Sequence, residues 1–198
     1  MRIEQFTEAD IKDAAQLAYP IWGVGHGASG RGEEFGLLMC EYIVRYGWYG
    51  SPFAFKLTQN DKMVGCILAG KITQKNGYNE WLEKHMPTFN LEQRTEAEAL
   101  RLYFDTTGPK VYNQMNATED LYLSFFISSV KGGGRMLLSE IVELERQKGY
   151  KNLYLWTDSS CDHSYYQHNN FELVSEFNSA EWESDNDDYL TFIYRKTI

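Results

Sequence analysis

The chain has 198 residues, a formal net charge of −9 and a hydrophobic fraction of 43%. This balance predicts a single globular domain that needs no disulfide or metal to fold. Lys and Arg are not clustered anywhere, which argues against a nucleic-acid partner, and no apolar run approaches the ~18 residues of a membrane span. The acidic balance is compatible with a cationic small molecule as substrate.

The cysteines and the first residues indicate the compartment. Cys40, Cys66 and Cys161 are widely spaced, and no Cys/His ligand pattern accompanies them. Neither a disulfide framework nor a metal site is therefore predicted. The N-terminus is polar and acidic and lacks the apolar core of a signal peptide. Together these features predict a cytoplasmic protein with reduced thiols.

The first elements are a strand and two helices. Residues 1–6 alternate in polarity, which predicts a short strand. Thr7, with Asp10 three residues later, is typical of a helix N-cap. Apolar residues at helical spacing follow, and Pro20 is predicted to end this first helix. Residues 33–46 place apolar side chains on one face and predict the second helix.

Between these helices lies a glycine-rich segment. Residues 20–32 contain five glycines, and so much glycine costs too much backbone entropy for a regular element. Two interpretations stay open: a mobile loop over a site, contacting a ligand through Trp22 and His26, or a flexible connector.

A hairpin and a helical insertion follow. Residues 53–57 and 63–69 are apolar or alternating runs joined by a polar turn, which predicts a β-hairpin. Residues 71–118 are polar and are predicted to be a helical insertion, too short and too polar for a separate core. Helical periodicity runs from 91 to 115 and is predicted to break at Gly108-Pro109.

The second half alternates between strands and helices. The predicted elements are a strand at 121–127, a helix at 136–148 closed by Gly149, a strand at 152–157, a short helix at 163–168, and strands at 171–177 and 189–194. In the strand at 121–127 we expect odd-numbered residues on one face and even-numbered residues on the other. An acidic loop at 178–188 joins the last two strands. This order predicts a mixed sheet with helices on both faces.

The strongest chemical signal is the run Gly132-Gly133-Gly134 between a strand and a helix. Glycines let the backbone approach an anion closely, and the helix N-terminus adds about half a positive charge. Lys131 and Arg135 would add further charge for a pyrophosphate. The alternative is a tight turn that packs helix on sheet. No Gly-Lys-Ser/Thr follows, as a P-loop requires, and a Rossmann unit would start the domain.

Two motifs resemble the GNAT superfamily of N-acetyltransferases, over roughly residues 1–70 and 120–198. Residues 129–134 occupy the family's Gln/Arg-x-x-Gly-x-Gly/Ala motif, with Ser129 in the place of Gln or Arg. Residues 166–172 are similar to its Tyr-x-x-x-Gly-Phe-Glu motif, with Asn170 in the place of glycine. Asn tolerates the left-handed conformation that such a glycine adopts.

The resemblance implies an α/β fold of the mixed α+β kind. Its central mixed sheet would be mostly antiparallel with one splayed parallel pair, and helices would lie on both faces. The helical insertion would fall between the third and fourth strands, within a single GNAT-like domain spanning 1–198.

The resemblance also implies site residues. Tyr166 would be the general acid that protonates the CoA thiolate, and Tyr165 is its rival. A backbone N–H near Phe126 or Ile127 would polarise the acyl carbonyl. Ser159 stands where the family often has a cofactor-contacting Asn. The implied acetyl-CoA site comprises Phe126, Ile127, Ser129, Val130, Lys131, Gly132, Gly133, Gly134, Arg135 and Ser159.

The general base and the acceptor site are the least determined features. Asp158, at the end of a strand, is the first candidate for the base, although capping the next turn is the more ordinary role for a carboxylate at this place. Other candidates are Asp162, Glu34, Asp120, His26 and His163. The candidate acceptor contacts are Trp22, His26 and Glu34.

The function implied is transfer of an acetyl group from acetyl-CoA to a primary amine by direct attack, without a metal. The alternative is a degenerate acyl-CoA-binding or protein-interaction module, which Ser129 and Asn170 favour. The acceptor stays open between a polyamine, an aminoglycoside, an amino acid and a protein N-terminus. Oligomeric state is open too, and exposed terminal strands would permit a homodimer.

Overall fold

The computed structural model describes residues 1–28, 30–48, 51–71, 77–179 and 189–198. Seven strands form one sheet in the order β1-β2-β3-β4-β5-β7-β6. The strands are β1 (Arg2–Gln5), β2 (Phe53–Gln59), β3 (Lys62–Gly70), β4 (Asp120–Ser128), β5 (Asn152–Asp158), β6 (Glu172–Asn178) and β7 (Leu190–Thr197). Most of the predicted acidic loop, at 180–188, lies outside the described residues.

Helices connect the strands in the predicted order. They are α1 (Ile11–Ala18), α2 (Val24–His26), α3 (Glu33–Trp48), α4 (Gly77–His85), α5 (Leu91–Tyr112), α6 (Gly133–Lys148) and α7 (Ser164–His168). The helices α4 and α5 fall between the third and fourth strands, which confirms the predicted insertion.

The helices cover both faces of the sheet. Leu137 and Ile141 of α6 are buried in a core with apolar residues of β2, β3, β4, β5 and β7. On the opposite face, Val44 of α3 is buried with residues of α1 and β4, and Tyr103 of α5 is buried beside β5. Burial of one apolar stripe per helix therefore produces a three-layer arrangement with the sheet in the middle.

The parallel pair β4 and β5 separates partway along its length. All other neighbouring strands are antiparallel, whereas β4 and β5 are parallel and pair from Asp120 with Asn152 to Tyr122 with Tyr154. Both strands continue past these pairs without pairing to each other. This confirms the predicted mostly antiparallel sheet with a splayed parallel pair. We call the space between the unpaired parts of β4 and β5 the gap.

A β-bulge in β4 lies where the gap begins. Ala69 pairs with Leu123 and Leu68 pairs with Phe125, so Ser124 is an extra residue opposite β3. The Ser124 hydroxyl lies 3.1 Å from the Leu68 carbonyl oxygen. Because a bulge bends its strand and increases the local twist, it turns β4 away from β5 just beyond their last pair.

The bulge also corrects the predicted pattern of strand faces. Leu123 belongs to the core beneath α6, but Phe125 belongs to the core beneath α1 and α3, and Phe126 packs on the α6 side. The regular odd-even alternation predicted for this strand is therefore wrong after Ser124. One inserted residue exchanges the faces of everything that follows it.

The break predicted inside the helix of residues 91–115 is absent. The helix α5 runs unbroken through Gly108-Pro109, and Asn113 donates its N–H to the Pro109 carbonyl at 3.0 Å. Its buried face, which includes Phe104 and Val111, holds the helix together despite the proline. The predicted break at Gly108-Pro109 is therefore wrong.

The glycine-rich segment is partly helical, which corrects the expectation of an irregular segment. Pro20 lies inside a π-helical turn, Tyr19–Gly23, that leads directly into α2. Gly23 and Gly36 approach closely, since a Cβ on Gly36 would lie 2.3 Å from the Gly23 carbonyl oxygen. Here glycine permits close packing of two helical segments, which outweighs its low helix propensity.

Glu145, near the end of α6, is a buried acid. It is 1% exposed, and neither carboxyl oxygen has a hydrogen-bond partner among the described residues. Desolvation raises the pKa of this carboxyl from 4.5 to about 8. The folded state therefore holds its proton over a pH range in which the unfolded chain has released it.

We expect the free energy of unfolding to fall as pH rises from about 4.5 to about 8, because the unfolded state releases this proton first. Glu145→Gln should remove this dependence and raise stability at pH 8 by roughly 2 to 4 kcal/mol. Urea titrations at several pH values measure both effects. Glu143→Gln, on the exposed side of the same helix, is the control, and equal pH profiles for Glu145→Gln and the unmodified protein would contradict the prediction.

Candidate functional site

A cavity of about 1150 Å³ opens in the gap. Its walls come from α2, α5, β4, β5, the start of α6 and α7. Because the gap interrupts the sheet, the cavity connects the face covered by α6 with the face covered by α3 and α5. One half of the cavity thus lies on each side of the sheet.

The backbone of Phe126 faces the gap. Ser129 donates its N–H to the Val64 carbonyl at 2.9 Å, and Ile127 pairs with Cys66 in the same register. Hydrogen-bonding direction alternates along an antiparallel strand, so Ile127 bonds toward β3 and Phe126 points its N–H and C=O away from it. Of the two residues that the sequence left open, Phe126 presents its N–H to the gap.

Trp156 has the matching position on β5. Ser159 donates its N–H to the Leu190 carbonyl at 2.9 Å, and Thr157 is the next position that bonds toward β7. The backbone N–H and C=O of Trp156 therefore point away from β7 and into the gap. Two open strand edges face each other across the cavity.

The glycine turn forms one end of the cavity. Gly132 adopts the left-handed conformation, with φ of 81°, and is the N-cap of α6. A Cβ on Gly134 would lie 3.2 Å from both Phe126 Cζ and Tyr165 Oη. Among the described residues, no acceptor bonds the N–H groups of Gly134 and Arg135. The start of α6 thus offers free N–H donors and a helix dipole to the cavity.

Two residues of the predicted cofactor set do not line the cavity beside this turn. The Ser129 hydroxyl donates to the Val64 carbonyl at 3.1 Å and lies outside the cavity. Gly133 is buried, and a Cβ there would lie 2.8 Å from Leu57 Cδ2. Gly133 therefore serves the packing of helix on sheet, whereas Gly132 and Gly134 face the cavity.

The other predicted cofactor contacts fall into two groups. Val130, Lys131 and Arg135 line the cavity, whereas Ser159 is exposed and does not. Neither Lys131 nor Arg135 forms an ion pair with a carboxylate in the described part of the chain. Both cations therefore stand at the cavity mouth, available to an anionic ligand.

Tyr166 lies on the α6 side of the cavity. Its ring centroid is 5.5 Å from that of Phe171 and 5.6 Å from that of Tyr194. Burial raises the pKa of its phenol, with smaller contributions from Cys161 and Asp158, so the group stays protonated at neutral pH. Tyr166 therefore lines the cavity in its protonated form, the form that can donate a proton.

Tyr165, the rival, faces the glycine turn. Its hydroxyl is buried without a hydrogen-bond partner among the described residues, and its ring lies 5.7 Å from that of Phe126. Burial raises the pKa of its phenol, and Arg135 opposes that rise. Both tyrosines line the cavity, but Tyr165 lies nearer the anion-binding end.

Asn170 stabilises the turn that positions these tyrosines. It adopts φ of 61°, the left-handed conformation expected from its place in the motif. Phe171 then donates its N–H to the Tyr166 carbonyl at 3.0 Å. The substitution of Asn for glycine thus preserves the backbone geometry.

Asp158 lies on the other side of the sheet, 7% exposed, at the cavity wall. Its Oδ1 accepts the Ser160 backbone N–H at 3.0 Å, and its Oδ2 accepts the Tyr103 hydroxyl at 3.5 Å. No Lys, Arg or His pairs with it in the described ranges. Asp158 therefore both caps the following turn and presents a carboxylate to the cavity.

The remaining base candidates are less well placed. Asp120 is buried among Asn116 and Asn152, outside the cavity. His163 stacks on Phe192 and does not line the cavity. Asp162 lines it but is exposed.

The three candidate acceptor contacts divide in the same way. Trp22 and His26 line the cavity, whereas Glu34 is exposed and lies outside it. His26 is held by Glu96 of α5, with Nδ1 2.7 Å from Oε1, and Arg31 lies 3.5 Å from the second Glu96 oxygen. This cluster fastens the glycine-rich segment to α5.

Sequence reasoning missed the contribution of α5. Glu96, Leu100, Tyr103 and Phe104 all line the cavity. Leu100, Tyr103 and Phe104 lie on one apolar face of α5, within the helical periodicity of 91–115, and a polar insertion that carries such a face must cover something apolar. The sequence does not show that the covered surface is a cavity.

Other classes of site find no support in the described part of the chain. No group of three or more His, Cys, Asp or Glu residues there could hold a metal ion. The three cysteines are free, and Cys161 lines the cavity. No described helix has the length and apolar character to cross a membrane.

Solved structures resemble the whole chain. A mosquito arylalkylamine N-acetyltransferase-like protein, 5b, aligns with a TM-score of 0.58 at 12% identity, covering 100% of this chain and 99% of its own. A mutant agmatine N-acetyltransferase in its apo form aligns at 0.57 and 11%, and a GNAT-family acetyltransferase from Streptococcus pneumoniae at 0.55 and 11%. Each covers 100% of this chain and 99% of its own.

Sequence comparison adds nothing to this likeness, since no family model and no curated protein matches the chain. At 11–12% identity, the structural likeness establishes the fold. The order of elements along the chain, the splayed parallel pair and the helices on both faces are those expected from the sequence. The chain has the fold of the GNAT N-acetyltransferases.

Proposed function

We propose that this protein transfers an acetyl group from acetyl-CoA to a primary amine by direct attack. The observation that carries the proposal is a single cavity that joins the free N-terminus of α6, two open strand edges and a buried carboxylate. An elongated ligand with an anionic end and an amide-containing arm fits that arrangement.

The anionic end is accommodated by the glycine turn. The N–H groups of Gly134 and Arg135 and the dipole of α6 suit a pyrophosphate, and the Lys131 and Arg135 side chains add charge at the mouth. The hydroxyl of Tyr165 is an additional donor, since it lacks a partner among the described residues.

The amide-containing arm is accommodated by the gap. The backbone groups of Phe126 and Trp156 face it from opposite strands, and an extended arm satisfies such groups as an added strand does. Bound acetyl-CoA supplies a thioester, which has an electrophilic carbonyl carbon and a thiolate leaving group. The N–H of Phe126 is placed to donate to the oxygen of that carbonyl.

Proton donor and proton acceptor lie on opposite sides of the gap. The amine nitrogen bonds to the acyl carbon while the carbon–sulfur bond breaks, and the thiolate takes the Tyr166 proton. The proton lost by the amine passes to Asp158, directly or through water. Tyr166 packs on the α6 side and Asp158 on the α5 side, so attack and departure occur from opposite directions.

The decisive assay measures thiol release from acetyl-CoA with a panel of primary amines, together with CoA affinity. Amine-dependent thiol release is expected. Tight CoA binding without thiol release for any amine, at several pH values, would indicate the degenerate binding module instead.

The cytoplasmic location, the single domain and a homodimer stay predictions.

Tyr166→Phe should lower kcat by about 10²-fold and leave the Kd for CoA within about twofold, because only the transferred proton is removed. Its matched control is Tyr165→Phe, the same change in the next residue. That variant should weaken CoA binding several-fold with a smaller effect on kcat. If Tyr165→Phe instead lowered kcat and Tyr166→Phe weakened CoA binding, Tyr165 would be the acid.

Removing the two mouth cations should weaken CoA binding. Lys131→Gln combined with Arg135→Gln is expected to raise the Kd roughly tenfold at low salt, with a smaller effect at high salt because exposed charges are screened. Arg146→Gln, on the same helix and paired with Glu143, is the control. Calorimetric titration at two salt concentrations measures the difference, and equal Kd values for all three proteins would show that the pyrophosphate lies elsewhere.

A further inference from the structure

The half of the cavity on the α5 side has an aromatic wall, formed by Tyr103, Phe104 and Trp156. The ring of Trp156 lies 5.1 Å from that of Tyr103 in an edge-to-face arrangement and 6.0 Å from that of Phe104. All three residues line the cavity. Such a wall favours a flat, apolar ligand, because aromatic rings gain both burial and ring–ring contact from it.

One carboxylate in this half of the cavity, that of Asp158, is buried without a cation partner among the described residues. Buried carboxylates are stable when a cation or several donors compensate them. An ammonium group of the acceptor would complete the partial compensation that Ser160 and Tyr103 provide.

A second carboxylate of the cavity lining is half-buried and already has partners. Glu96, 14% exposed, lies between His26 at 2.7 Å and Arg31 at 3.5 Å. A second cation on the acceptor would therefore meet Arg31 at Glu96, and the remaining carboxylate of the lining, Asp162, is exposed and screened by solvent. A carboxylate on the acceptor would instead be repelled by Asp158 and Asp162, which both line the cavity.

We infer that the acceptor is an aromatic monoamine, whose reacting amine is its one charged group and whose body is a flat, uncharged ring. This inference rests on the proposed function and specifies its substrate class. Asp158 receives the ammonium form, which predominates at neutral pH, and takes the proton that the amine must lose before attack; the second proton, lost after attack, passes to water and is balanced by the proton that Tyr166 gives to the thiolate. The ring lies against the aromatic wall.

The test compares kcat/KM across amines with the unmodified protein and acetyl-CoA. The aromatic monoamines are 2-phenylethylamine and tryptamine, and 2-cyclohexylethylamine has the same charge and length without aromatic faces. The competitors are putrescine, spermidine, agmatine, phenylalanine, an aminoglycoside and a short peptide with a free N-terminus. We expect the aromatic monoamines to exceed every competitor by about tenfold or more, and the cyclohexyl amine by several-fold.

The outcomes separate this inference from the proposed function. Thiol release that is highest with a diamine, polyamine, aminoglycoside, amino acid or peptide would overturn the aromatic monoamine while leaving acyl transfer intact. Equal kcat/KM for the phenyl and cyclohexyl amines would also overturn it. No thiol release with any amine would instead contradict the proposed function itself.

A pair of variants locates the ring. Trp156→Leu should raise the KM for 2-phenylethylamine about tenfold while changing that for n-butylamine little, because the smaller amine does not reach the wall. Trp81→Leu is the matched control, since Trp81 lies on α4, packs against Tyr42 of α3 and does not line the cavity. Equal changes of KM for both amines in Trp156→Leu would place the ring elsewhere, and circular dichroism verifies that both variants fold.

Discussion

The separation of β4 from β5 is the constraint on which the rest of the site depends. It begins at Ser124, the extra residue that bends β4 immediately after its last pair with β5. A sheet normally satisfies its own backbone groups, but here those of Phe126 and Trp156 are left facing a gap. Unpaired backbone groups are costly when buried, so the same feature that weakens the sheet prepares it to receive an extended ligand.

The gap also gives the protein two chemically different half-sites. The α6 side presents helix N–H donors, Lys131, Arg135 and a phenol kept protonated by burial, which suits an anionic cosubstrate and its leaving group. The α5 side presents aromatic rings and the carboxylate of Asp158, which suits a cation. Because the sheet separates the halves except at the gap, ligands bound in the two halves would meet only in the space between Phe126 and Trp156.

Glycine has different roles at neighbouring positions. Gly132 supplies a left-handed residue before α6, Gly133 permits close packing against β2, and Gly134 leaves room beside Phe126 and Tyr165. Of these three consecutive residues, Gly133 therefore serves helix packing, as the tight-turn interpretation expects, while Gly132 and Gly134 face the cavity, as an anion site requires. Similarly, Asp158 caps a turn and faces the cavity, since a short polar side chain at a strand end satisfies both requirements.

The sequence by itself determined the element order, the glycine turn and the spacing that separates Tyr166 from Phe171, because these depend on local periodicity and turn chemistry. It could not determine the bulge at Ser124, which exists only in the register of β4 against β3. Nor could it show that α5 continues through Pro109, where burial against the sheet outweighs local propensity. The α5 side of the cavity was likewise decided by tertiary structure, since Glu96 and Tyr103 reach it from an insertion far from Asp158 in the chain.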